Sequence, residues 1–168
     1  MENEFLEGYD GQSVAELINL ESTHRVDSLV LAFEEAIQNK VDAKGLESVS
    51  VVEYTVLLVE ALEREVNNGG YTLFFSNTPH YAPEIVAGLR RIGCETTATI
   101  TQDAIDTLGL SIVSAASVEA AINAQLDEES EEFEEALSEC DDRFYDYEDQ
   151  IDELLFAYIK ENASEITI

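Results

Sequence analysis

The chain has 168 residues, of which 45% are apolar, and it carries 37 acidic side chains against 8 lysines and arginines, giving a net charge of −29. The apolar content excludes a disordered chain and suffices for one domain with a hydrophobic core. The charge argues against direct binding to nucleic acid, anionic membranes or phosphate ligands, and it favours cations or basic protein surfaces as partners.

Three further features place the chain in a broad class. No apolar run reaches 18 residues, so no membrane span is expected. The acidic start "MENEFLEGYDGQ" contains no apolar stretch of the kind found in signal peptides. Cys94 and Cys140 are isolated and lack the C-x-x-C spacing, which is typical of reduced thiols in a cytoplasmic protein, although one bridge between them stays open.

The spacing of apolar residues is mostly helical and predicts an all-α fold. Ser13 and Glu16 form a capping box that opens a short helix ending near Leu20. A second helix is predicted from about Thr23 to Lys40, and the sequence "VDAKG" ends it.

A second capping box, Ser50 with Glu53, precedes the stretch "VVEYTVLLVEALEREV". This stretch is apolar on nearly all sides, so it predicts the most buried helix, over about residues 50–66. Its many β-branched residues also permit a strand.

Two asparagines and two glycines then close this helix, because they readily adopt left-handed conformations. The three aromatics that follow have i, i+3, i+4 spacing and predict a short helix with one aromatic face. The alternative is an anion-binding backbone nest, which the net charge disfavours. We therefore predict a structural joint made of Asn67, Asn68, Gly69, Gly70, Tyr71, Phe74 and Phe75.

Shorter helices are predicted in the middle of the chain. The sequence "NTPHYAP" indicates a turn, and Pro83 suits the first turn of a helix that ends at Gly93. Further helices fit residues 97–108 and 117–126. The total is about seven helices in a single all-α domain over residues 1–168.

The acidic segment, residues 127–153, holds 15 carboxylates and one base and therefore about half of the net charge. Such runs are usually disordered, but this one has an apolar stripe with alternating steps of 4 and 3 residues. The stripe consists of Phe133, Leu137, Cys140, Phe144, Tyr147, Ile151, Leu154 and Tyr158. We expect a long amphipathic helix on the surface, roughly Glu129 to Lys160 within residues 127–160, or two helices with a small break.

The opposite side of this segment is a row of carboxylates at equally regular spacing. The row consists of Glu132, Glu135, Glu139, Asp142, Asp146, Asp149 and Glu153, flanked by Glu128, Glu131 and Asp152. With a helical rise of about 1.5 Å per residue, the segment carries about one net charge per 3 Å. A DNA strand carries one phosphate per about 3.4 Å. The row predicts a surface that imitates DNA and binds a basic DNA-binding protein.

The sequence gives less support to other functions. Glycine-rich nucleotide loops, metal-binding helix motifs, nucleophile elbows and EF-hand loops are all absent from the sequence, so we expect no catalytic residue, metal or cofactor. An enzyme site near Asn67, Asn68, His80 and Tyr81 is one alternative. Another is a generic acidic domain from a high-salt-adapted bacterium or archaeon, which the presence of only three lysines favours.

The segments "EREVNNGGYTLFFSN" and "GLRRIGCETTATITQDAI" resemble a bacterial family of unknown function, over about residues 50–108. That family joins an E-x-x-N-G-G-aromatic motif to a downstream helix ending in Ile-Gly, here Ile92 and Gly93. Leu73 stands where many relatives have Gln. The resemblance implies an all-α interaction protein and a possible homodimer, because the best-known member is a dimeric, acidic DNA mimic. The mimic role itself is not implied, because the resembling segment is not the acidic one.

Overall fold

The computed structural model describes residues 3–168. Its eight α-helices are α1 Val14–Asn19, α2 Val26–Lys44, α3 Val51–Asn77, α4 Ala82–Arg91, α5 Glu95–Asp106, α6 Ala115–Glu128, α7 Glu131–Tyr145 and α8 Ile151–Glu161. Across these described residues the only β-type pairing is an isolated bridge between Glu4 and His24. The all-α prediction is confirmed, with one helix more than the seven expected. Within residues 3–168, no helix is both long and apolar enough to cross a bilayer.

The chain divides into two compact units. The first unit contains the residues up to Glu60 together with Gln150–Ile168, and the second contains Ala61–Asp149. The boundary falls once inside α3 and once between α7 and α8. The single domain expected from the sequence stays a prediction.

The core of the first unit is formed mainly by α2 and α8, which pack against each other. The rings of Phe33 and Phe156 lie 6.5 Å apart between their centroids. Leu29, Leu155 and Ile159 are also fully buried. The apolar residues of α2 recur every three to four positions, so one side of the helix supplies this core.

The N-terminus of α3 is held by a buried carboxylate, Glu53. As the sequence predicted, Ser50 and Glu53 form a reciprocal capping box. The carboxylate also binds the Lys40 ammonium at 2.8 Å and accepts a hydrogen bond from the Thr167 amide. Burial raises the pKa of Glu53, but the hydrogen bonds from Lys40, Thr167 and Ser50 outweigh it and leave the pKa below its ordinary value.

The helix α3 is continuous except at two glycines. Gly69 has φ −171° and ψ 29°, and Gly70 has φ 72° and ψ −175°, so neither is helical. The helix restarts at Tyr71, which is fully buried together with Phe74 and Phe75. The strand alternative for residues 50–66 is therefore wrong, and the break lies where the asparagine–glycine run predicts it.

The acidic segment forms two helices, so the prediction of one long helix is wrong and the two-helix alternative is correct. The predicted stripe residues of α7, namely Phe133, Leu137, Cys140 and Phe144, are all buried. In α8 the buried residues are Ile151, Leu155, Phe156 and Ile159, whereas Leu154 and Tyr158 are only half-buried. The apolar stripe predicted for one continuous helix therefore holds along α7 but not along α8.

Candidate functional site

The face of α7 opposite its buried stripe is lined with carboxylates. Its exposed members are Glu131, Glu132, Glu134, Glu135, Glu139 and Asp142, with Glu128 before the helix and Asp146 after it also exposed. A helix of 15 residues is about 22 Å long, so these groups form a strip of one sign of charge over about that distance. The same helix also exposes Ser138 and one base, Arg143.

Besides Asp146, three members of the predicted set lie beyond α7. Asp149 is half-buried, and its Oδ2 accepts a hydrogen bond from the Thr97 amide at 2.7 Å, in the first turn of α5. It therefore acts as a cap supplied from another part of the chain. Asp152 is half-buried and Glu153 is exposed, and both lie in the first turn of α8, which belongs to the first unit.

The single base of the acidic segment, Arg143, pairs with a carboxylate of another helix. Its Nη1 donates to Oδ2 of Asp103 on α5 at 2.8 Å. This pair is about half exposed and adds little stability, since exposed ion pairs contribute about 0–1 kcal/mol. It does direct the only positive charge of α7 towards α5.

The C-terminal half of α7 contacts the joint of α3. The Asp141 carboxylate accepts a hydrogen bond from the Tyr71 amide at 2.7 Å, where the helix restarts after the glycines. A Cβ atom on Gly70 would lie 2.2 Å from Oδ2 of Asp141. Burial raises the pKa of Asp141, the Tyr71 amide lowers it, and the neighbouring Asp142 adds to the rise.

Two tyrosines complete this contact. The Tyr145 hydroxyl donates to the Val66 carbonyl at 2.6 Å, at the end of the first part of α3. The Tyr147 hydroxyl donates to Oε1 of Glu63. Between them, the ring of Phe144 meets those of Tyr145 and Tyr147 edge-on, at centroid distances of 6.1 and 5.9 Å. The glycine break and the acidic helix, which the sequence presents as separate features, thus form one structure.

Three residues of the alternative enzyme site, Asn67, Asn68 and His80, are exposed. Nδ2 of Asn67 lies 3.5 Å from the Tyr147 hydroxyl, at the limit of a hydrogen bond. The ring centroid of His80 lies 4.1 Å from that of Tyr81.

The two thiols are free and buried. Burial, together with Asp149 and Glu63, raises the pKa of Cys94 to about 12. Burial also raises the pKa of Cys140. A nucleophilic cysteine needs a lowered pKa and access to solvent, so both thiols fit a packing role.

The DMP19-like protein family model matches residues 47–162. The chain belongs to this family. The match confirms the family resemblance and extends it beyond residues 50–108, because it includes both the Asn-Asn-Gly-Gly joint and the whole of α7. None of the curated proteins and none of the solved structures compared with the chain matches it.

Leu73, where the resemblance led us to expect Gln, lies beside the glycine break. A Cβ atom on Gly69 would lie 3.1 Å from Cδ2 of Leu73.

Tyr145 is a surface residue that the sequence reasoning missed. It lies outside the apolar stripe and is 46% exposed, next to the carboxylate row. The sequence did contain a clue to Tyr145. This aromatic residue directly follows the stripe residue Phe144, on a helix whose other exposed residues are mostly acidic.

Proposed function

We propose that this protein is a non-enzymatic, acidic interaction module that imitates DNA and occupies the basic surface of a DNA-binding protein. The observation that carries the proposal is the strip of exposed carboxylates along α7. Membership of the DMP19-like family supports it, since the family match includes this helix. A cytoplasmic location and the homodimer implied by the resemblance belong to the same proposal.

The physical basis is that the acidic segment carries a charge density similar to that of a DNA strand, and that α7 holds its carboxylates in fixed positions. Like charges at i, i+3 and i, i+4 destabilise a helix by about 0.2–0.5 kcal/mol per pair. The buried stripe of α7 offsets this cost, because burying one large apolar side chain contributes about 1.5–3 kcal/mol. A basic protein surface that neutralises the strip would release counterions as it does on DNA, so its affinity should fall steeply with salt.

The decisive experiment reverses three charges in the middle of the strip. Glu139, Asp142 and Asp146 are exposed, so replacing all three by Lys should leave the fold intact. Immobilised wild-type protein should retain DNA-binding proteins from a cell extract fractionated on DNA-cellulose, and duplex DNA should displace them. The triple variant should retain none of them while keeping its circular dichroism spectrum.

A matched control reverses three exposed carboxylates outside residues 127–153. Glu84, Glu119 and Glu161 are suitable, since the same substitution changes the net charge by the same amount. This control should retain the DNA-binding proteins. Equal loss in both triple variants would show that overall acidity is responsible, which would favour the salt-adaptation alternative. Unchanged retention by the variant on α7 would contradict the proposal.

A further inference from the structure

Tyr145 presents a fixed aromatic surface within the acidic strip. Its side chain is 46% exposed, although its hydroxyl is anchored to the Val66 carbonyl at 2.6 Å. The edge-on contact with Phe144 supports the ring from the inside. A tyrosine held at both its Cα and its hydroxyl loses little further entropy when a partner covers it.

Carboxylates border this ring. Asp142 lies one helical turn before Tyr145, and residues three apart are neighbours on a helix surface. Asp146 follows directly and is exposed. Burial raises the pKa of Tyr145, the charges of Asp141 and Asp142 raise it further, and a hydrogen bond with the Gly70 backbone lowers it.

We propose that Tyr145, with Asp142 and Asp146, receives an arginine side chain of the basic partner. A guanidinium stacks on an aromatic face and can form two parallel hydrogen bonds to a carboxylate, whereas a lysine ammonium interacts as a compact point charge. The carboxylate strip attracts any basic surface, and Tyr145 selects surfaces rich in arginine. This inference rests on the proposed function, because it assumes a basic protein partner.

The test uses two synthetic peptides of equal length and charge, one rich in arginine and one rich in lysine. Their binding to the full-length protein is measured by fluorescence anisotropy at fixed salt. The wild type should bind both peptides and prefer the arginine peptide by at least about twofold and at most about thirtyfold, the range expected for a cation–π contact.

Two substitutions at Tyr145 separate the ring from the hydroxyl. Tyr145→Phe and Tyr145→Leu both remove the hydrogen bond to Val66, but only Phe keeps an aromatic face. The Phe variant should keep the arginine preference, and the Leu variant should bind both peptides equally. Thermal unfolding of the two variants should be alike, which separates recognition from stability.

Several outcomes would overturn the inference. Equal binding of both peptides by the wild type would do so, as would an unchanged arginine preference in the Leu variant. Loss of the preference in both variants would assign the effect to the hydroxyl rather than to the ring, which also contradicts the proposal. The α7 charge-reversal variant serves as a separate control: if it still binds both peptides, the proposed function fails, whatever the result at Tyr145.

Discussion

Replacing Gly70 by Ala should strongly destabilise the second unit, because two independent costs add at this position. The backbone of Gly70 has φ 72° and ψ −175°, a conformation that non-glycine residues adopt at a cost of about 1–3 kcal/mol. The new Cβ would also lie 2.2 Å from Oδ2 of Asp141. Asp141 would have to move, and it would then lose its hydrogen bond to the Tyr71 amide.

A hydrogen bond to a charged group contributes about 1.5–3 kcal/mol. Adding the backbone strain, we expect Gly70→Ala to lower the free energy of unfolding by about 2.5–6 kcal/mol. That is a large part of the total stability of a typical domain, which is about 5–15 kcal/mol. Urea denaturation followed by far-ultraviolet circular dichroism measures the loss.

Gly109→Ala provides a matched control. Gly109 also has a positive φ, 64°, but a Cβ there would meet nothing within 4 Å. This substitution should therefore cost only the strain of a left-handed residue, about 1–2 kcal/mol. The comparison shows how far the loss at Gly70 exceeds the cost of a positive φ alone.

A double-mutant cycle then tests the mechanism. In an Asp141→Ala background the clash is absent, so Gly70→Ala should cost only its strain, and the two substitutions should show a coupling of about 1.5–3 kcal/mol. Additive effects of the two substitutions, or equal losses from Gly70→Ala and Gly109→Ala, would refute the reasoning.

Two further predictions concern single carboxylates. Glu53→Gln should cost about 3 kcal/mol at neutral pH, because it leaves the Lys40 ammonium, whose side chain is only 10% exposed, without its charge partner. Since the pKa of Glu53 in the folded protein lies below its ordinary value of 4.5, the advantage of the wild type is fully present above that pH and shrinks as the pH falls through the folded pKa. Urea denaturation over a pH series measures this difference in stability between the wild type and Glu53→Gln. A difference that does not change with pH would contradict the role assigned to the Glu53 charge. Asp149→Ala should cost about 1 kcal/mol through loss of the α5 cap at Thr97, whereas Asp146→Ala should cost almost nothing, and equal costs would contradict the capping role.

Local chemistry made several elements readable from the sequence. The Ser13–Glu16 and Ser50–Glu53 boxes form as predicted, because each requires only residues three positions apart on one helix. The buried stripe of α7 follows from helical periodicity in the same way.

The candidate surface was predictable in part. Regular spacing placed the carboxylates of α7 on one exposed side, because a helix repeats every 3.6 residues. Spacing could not show that Asp149 belongs to a cap on α5 or that Asp141 is half-buried against the joint. Both depend on partners 52 and 70 residues away in the chain.

The sequence by itself determined the all-α class, the capping boxes at Ser13 and Ser50 and the glycine break, since these depend on backbone preferences and on neighbours within one or two turns. Only the tertiary structure decided where the acidic segment breaks. The hydrogen bonds of Tyr147 to Glu63 and of Asp149 to Thr97 hold the residues after α7 outside a helix. The tertiary structure also decided the surroundings of Tyr145. Its hydroxyl donates a hydrogen bond to the carbonyl of Val66, which lies 79 residues earlier in the chain. Periodicity carries no information about contacts of that range, because they arise from packing between elements.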